Sequence, residues 1–203
     1  MPPTRLPRWI ENFGTRHGDV AAAVDADGVL TLHAADGSLA ECHRAPGVRT
    51  TSDVDAFVAA AAKPLRIGLL LARKASVAVG VAAGGELVVH KIDTAYVQSR
   101  TAAGGWSQHR FARRRDNQAK AAAGDAADLV LRLLVPEAPK LATLVTGGDR
   151  RTVESILADR RLSALAALVA DRFLEVAEPR LAVLQSAVTA AQAVRIKVTD
   201  PVR

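Results

Sequence analysis

Large rings are scarce in this sequence: two Trp, one Tyr and four Phe make up 3% of its 203 residues. A core built on stacked aromatics is excluded. Packing must come from Ala, Val and Leu at close range, within a hydrophobic content of 49% that suffices for one sizeable domain. The single cysteine, Cys42, excludes an intrachain disulfide and fits a reducing cytoplasm. The five histidines, His17, His33, His43, His90 and His109, are scattered and show no zinc spacing, so no metal and no cofactor is expected. No apolar run of about twenty residues exists, and none follows Met1–Arg5, so neither a membrane span nor a signal peptide is expected. Walker, dinucleotide and GxSxG patterns are missing too. Acid is in deficit, with 21 Asp and Glu against 27 Lys and Arg, a net charge of +6 and a pI near 10.1. Such a balance favours a polyanionic partner where the charge is clustered.

Periodicity supplies the elements. Leu6, Trp9, Ile10 and Phe13 lie at helical spacing within Arg5–Arg16. Val20–Val24, Val29–His33 and Leu39–His43 read as strands, with Asp27-Gly28 and Asp36-Gly37 as hairpin turns. Ser52-Asp53-Val54-Asp55 opens an alanine-rich helix to about Ala62, before Pro64. Leu65–Ala72, Ala75–Ala82 and Glu86–Ile92 are strands whose near-continuous apolar content predicts a sheet covered on both faces. A helix from Ser107 to about Leu134 follows, its stripe being Phe111, Ala119, Ala122, Ala126, Leu129 and Leu133. Next come a strand at Leu141–Thr146, a helix through Ala158, helical Ser163–Ala170, a strand at Phe173–Val176, a helix at Arg180–Ala193 and an edge strand at Val194–Val198. Hairpins first and alternation second predict an α/β domain with a mixed sheet.

One stretch stands out. From Tyr96 a small-residue loop narrows to Gly104-Gly105, passes Trp106 and Ser107, and reaches Gln108 at the head of a cationic helix. Paired glycines admit positive φ and a close approach by another molecule, and Ser107 is a fitting N-cap. Arg100, Arg110, Arg113, Arg114, Arg115 and Lys120 face one acid, Asp116. Arg110, Arg113, Arg114 and Asn117 are three and four apart and so share a helix face. A charge run is usually a solvated face, yet this one lacks the acids that normally neutralise such a face, which favours RNA contact. Trp106 either buries itself under the loop or stacks on a base. Gly147-Gly148-Asp149-Arg150-Arg151 reads as a strand-to-helix connection capped by Asp149 in preference to an anion-binding nest.

Gly104-Gly105-Trp106-Ser107-Gln108 resembles the catalytic loop of the eukaryotic and archaeal class 1 peptide release factors, where Gly-Gly-Gln precedes a long helix. Trp106 and Ser107 separate the glycines from Gln108, and in this the stretch is similar to the release-factor-like peptidyl-tRNA hydrolases of ribosome-associated quality control, including a bacterial branch. The order of strand, long loop, glycines, glutamine, basic helix, strand and Gly-Gly-Asp is similar from about Leu65 to Ala158.

The resemblance implies a ribonuclease-H-like mixed sheet flanked by helices, with a long mobile catalytic loop before the basic helix. It implies hydrolysis of the peptidyl-tRNA ester, Gln108 orienting water while Gly104 and Gly105 let the loop enter the peptidyl-transferase cavity. Arg100, Trp106, Ser107, Arg110, Arg113, Arg114, Arg115 and Lys120 would meet RNA. Residues 1–203 then form one catalytic domain, with an N-terminal helix in 1–18 and the loop in 93–108. At 203 residues there is little room for a separate stop-codon reader, so stalled peptidyl-tRNA on large subunits is the expected substrate, met by a cytoplasmic monomer. Two alternatives stand beside this: a non-catalytic ribosomal RNA-binding protein, and a metal-dependent nuclease using Asp25, Asp27, Asp93 and Asp149 near strand ends.

Overall fold

The computed structural model describes residues 1–73, 76–94 and 107–201; on the helix that starts at Ser107, side chains are described at 118 and from 120 onward. By its internal contacts the chain divides into two compact units, Met1–Leu65 with Thr189–Arg203, and Arg66–Val188.

In the first unit, α1 (Leu6–His17) buries Leu6 and Phe13, with Trp9 and Ile10 packed against the same core. Strands β1 (Val20–Val24), β2 (Val29–Ala34) and β3 (Leu39–His43) form an antiparallel meander. Its turns are set by the residues the sequence offers: Gly28 and Gly37 take φ of 74° and 87°, and Asp25 Oδ1 accepts the Val29 amide at 2.9 Å. Leu30, Leu32, Ala40 and Cys42 alternate inward toward α1 and α2 (Val54–Ala62). The cap of α2 is Asp53, whose carboxylate accepts the Ala56 amide at 2.8 Å.

The second unit holds β4 (Arg66–Arg73), β5 (Ser76–Ala83) and β6 (Glu86–Thr94), followed by α3 (Ser107–Leu133), β7 (Thr143–Gly148), α4 (Arg150–Leu157), α5 (Ser163–Ala166), β8 (Val169–Leu174) and α6 (Leu181–Gln192) as far as Val188, its last turn belonging to the first unit. Its sheet has the order β6-β5-β4-β7-β8. The first three strands pair antiparallel, while β7 and β8 run parallel to β4. Ile67 to Ala72 are all buried, as the continuous apolar run predicts for a strand covered on both faces. Leu70, Val77, Val79 and Val81 pack with Ala126, Leu129 and Val130 of α3 and with Val153 and Ile156 of α4.

Three details depart from the sequence reading. The strands make two sheets, because β9 (Arg195–Thr199) pairs antiparallel with β3 and closes the order β1-β2-β3-β9. Ser163–Ala170 is helical only to Ala166, and the following strand starts at Val169 instead of Phe173. There Leu144 opposes Val169 and donates to the Leu168 carbonyl at 2.6 Å, so pairing with β7 outweighs the helical preference of an alanine-rich run. The buried stripe of α3 includes Ala127 and Val130, which periodicity alone did not mark, Ala122 and Leu133 are half-buried, and Leu134 is buried just past the helix end.

Candidate functional site

Charge is distributed unevenly over the chain. Residues 1–65 with 189–203 hold nine Lys and Arg and nine Asp and Glu, whereas 66–188 hold 18 and 12 and therefore the whole net charge of +6. Positions 100–120 alone carry six basic residues and one acid, +5 of that total. The electrostatic footprint is one segment of the second unit, around the start of α3.

Helix α3 has 27 residues, about 40 Å at 1.5 Å per residue. Its fully buried side chains, among those described, begin at Ala126 and run through Leu129 and Val130. Lys120 and Ala121 are exposed and Gly124 meets open space. Gln108, the second helical residue, thus lies about 27 Å along the axis from the first anchored residue. The C-terminal half of the helix holds the sheet, and the N-terminal half bears Gln108, Arg110, Arg113, Arg114 and Arg115.

Lys120 is the one expected site residue whose side chain is described, and it is exposed. Arg100, Gly104, Gly105 and Trp106 lie outside the described residues, as do the side chains of Ser107, Gln108, Arg110, Arg113, Arg114 and Arg115. The helix begins at Ser107, so Ser107 is its first helical residue and not the N-cap expected of it, and the unpaired amides of its first turn are those around Gln108.

The root of the 95–106 segment is well defined. Thr94 pairs with Ser76 and Ser76 with Arg73, while Ala72 pairs with Gly148 and Gly147 with Leu174. Strand β6 therefore ends on the same edge of the sheet as β4, β7 and β8, where α/β sheets bind ligands. Sequence periodicity could not show this, because it follows from strand order. Beside the root opens a cleft of about 300 Å³, lined by Asp93, Asp125, Asp128, Arg132, Val77, Ala122 and Ala126. Three carboxylates make it hostile to phosphate, and Asp128 is held by Arg161 at 2.8 Å.

The glycine pair after β7 has a structural cause. A β-carbon on Gly147 would meet the Leu174 carbonyl oxygen at 2.6 Å, and Gly148 has φ of 102°. Asp149 then caps α4, its Oδ1 accepting both the amide and the hydroxyl of Thr152 at 2.8 Å. These bonds, with Arg151 and Arg73 nearby, hold its carboxyl below the usual range. The capping carboxylate fills the anion position at this helix terminus, and the connection reading stands over the nest reading.

The other acids considered for metal binding are engaged separately: Asp25 in its hairpin turn and Asp93 with the Thr94 amide at 2.8 Å. No group of three potential ligands forms among the described residues. Cys42 is buried, which pushes its thiol up to about 12 and leaves it inert. Among the described residues no helix is long and apolar enough to cross a membrane.

A family model described as Actinobacteria/chloroflexi VLRF1 release factor matches residues 65–197. The chain belongs to this family. It is a release-factor-like protein. The match begins where β4 begins and takes in the whole 66–188 unit, with the glycine–glutamine segment inside it. Among solved structures, an archaeal translation termination factor, aRF1, is similar at 22% identity and a TM-score of 0.45 over 63% of this chain and 34% of that one. An archaeal protein is similar at 17% identity and a TM-score of 0.43, over 77% of this chain and 50% of that one. The chain thus spans between a third and a half of the length of these two. No curated protein matches it.

Proposed function

We propose that this VLRF1-family chain hydrolyses the ester between nascent peptide and tRNA on stalled ribosomes or large subunits, without a stop codon. The observation that carries the reading is the family match across Gly104-Gly105-Trp106-Ser107-Gln108, placed between β6 and the head of α3. The peptidyl ester is already activated, so catalysis requires chiefly a placed water and a stabilised oxyanion. Gln108 suits the first task, since a carboxamide donates and accepts hydrogen bonds without ionising. The first-turn amides of α3 suit the second, since they lack intrahelical partners and stand at the positive end of the helix dipole.

In this reading Gly104 and Gly105 give the tip its freedom, and Trp106 and Ser107 space it from Gln108. Arg100, Arg110, Arg113, Arg114, Arg115 and Lys120 neutralise large-subunit RNA phosphates. The antiparallel trio β6-β5-β4, continued by parallel β7 and β8, supports the ribonuclease-H-like architecture. Residues 93–108 serve as the catalytic loop of one release-factor-like domain, acting as a cytoplasmic monomer without cofactor.

The deciding experiment incubates the protein with stalled ribosome–nascent-chain complexes and with purified large subunits bearing peptidyl-tRNA. Separation of peptide from intact tRNA is expected. Binding without separation would identify a non-catalytic RNA-binding protein, and nucleotide products dependent on a divalent metal would identify a nuclease.

A further inference from the structure

We propose that the end of the sheet formed by the C-termini of β4, β7 and β8 carries a second surface for RNA phosphodiesters, built from Arg150, Arg151 and Arg180 with Arg73 beside them. The proposal rests on the hydrolytic reading for the identity of the RNA, and goes beyond it in assigning contacts away from α3.

These four lie along one end of the sheet. Arg73 closes β4 opposite Ser76, and Arg150 and Arg151 open α4 directly after β7. Arg180 follows Glu178, which the Ser76 hydroxyl ties to this edge at 2.9 Å. All four arginines are exposed.

Most of their donors make no hydrogen bond among the described residues. The Arg150 guanidinium lies over the Phe173 ring at 4.2 Å, a contact that fixes the group while leaving its N–H donors unused. Arg150 and Arg151 make no side-chain hydrogen bond or ion pair among the described residues. Arg180 stands 3.9 Å from Glu178, too far for a hydrogen bond, and Arg73 gives one donor to the Val176 carbonyl at 2.9 Å.

Two acids of this sheet end are partly engaged: Asp149 caps its own helix with Arg151 and Arg73 nearby, and Glu178 accepts the Ser76 hydroxyl on one oxygen while the other faces Arg180. By contrast, Arg161, in the turn after α4, is consumed by Asp128 and Asp159 at 2.8 and 2.6 Å. A planar fork held open on an aromatic face, with further guanidiniums spaced along the same sheet end, matches the oxygens of successive phosphates.

The test is the triple variant Arg150→Gln, Arg151→Gln, Arg180→Gln, which removes no structural hydrogen bond, beside the charge-matched control Arg5→Gln, Arg8→Gln, Arg16→Gln. Affinity is measured at two salt concentrations for deacylated tRNA and for tRNA-free large subunits. The expected result is about tenfold weaker binding and a salt dependence shallower by about 2 to 3, in the edge variant alone. Loss confined to tRNA assigns the surface to tRNA, and loss confined to the subunit assigns it to ribosomal RNA; either supports the proposal. Unchanged affinity and slope for both RNAs, or equal losses in the control, overturn it. Release by the parent protein with an unaffected edge variant sinks the edge alone. Binding lost in the edge variant when the parent releases no peptide sinks the hydrolytic reading alone.

Discussion

The amide of Asp149 donates to the carbonyl oxygen of Ala72 at 2.7 Å, drawing the end of β7 onto the end of β4. Gly148, one residue earlier, therefore lies flat against Ala72, and a β-carbon there would stand inside the van der Waals shell of the Ala72 carbonyl. Its φ of 102° adds strain for any L side chain. Gly148→Ala is expected to lower stability by about 2 to 4 kcal/mol, since backbone cannot yield as a side chain can. Urea unfolding measures it, and a midpoint equal to that of the parent would contradict the geometry.

Asp149 gives the fold a pH dependence of known sign. The Thr152 amide, and then its hydroxyl, favour the charged carboxylate and lower its pKa from 3.8. A depressed carboxyl stabilises the fold above the unfolded value, and that contribution fades as pH falls through the folded one. Asp149→Ala should cost about 0.5 to 2 kcal/mol at neutral pH, because the cap is gone. The gap in melting temperature between variant and parent should narrow as pH falls through 3.8 and below. A gap of constant size over that range would show that the charge is not what matters.

Gln108→Ala is expected to slow peptide release about a hundredfold or more while leaving large-subunit affinity nearly unchanged. Glutamine's role lies in the transition state, so the loss belongs in rate. Single-turnover release from stalled complexes, with a parallel binding titration, separates the two quantities. Most of the activity surviving in the variant would remove Gln108 from the mechanism.

Neutralising Arg110, Arg113 and Arg114 together should do the opposite. Their spacing on α3 places them on one face, and a phosphate that no longer meets its arginine keeps its counterion on binding. Large-subunit binding should weaken strongly and its salt slope fall by about 2 to 3, with release recovering at saturating ribosome concentration. Identical slopes for variant and parent would mark the face as merely solvated.

Much of this protein is written locally. Gly28 and Gly37 at their turns, Asp53 and Asp149 at their caps, and the start of α3 at Ser107 all follow from short-range chemistry. Each needs only its neighbours in the chain: a positive φ, an orphan amide, a periodic apolar stripe. The glycine–glutamine segment and the basic run at 100–120 were legible for the same reason.

Other features needed the assembled fold. β9 joins β3 across more than 150 residues of chain, and Val169 becomes strand because Leu144 is there to pair with it. Arg73, Arg150 and Arg151 share one end of the sheet through strand order and register, and Arg180 is brought near it by the bond from Ser76 to Glu178. Sequence patterns report which face of an element is apolar. They carry no record of which strand lies beside which, since hydrogen bonding between backbones is indifferent to side-chain identity, and only the packing of whole elements decides it.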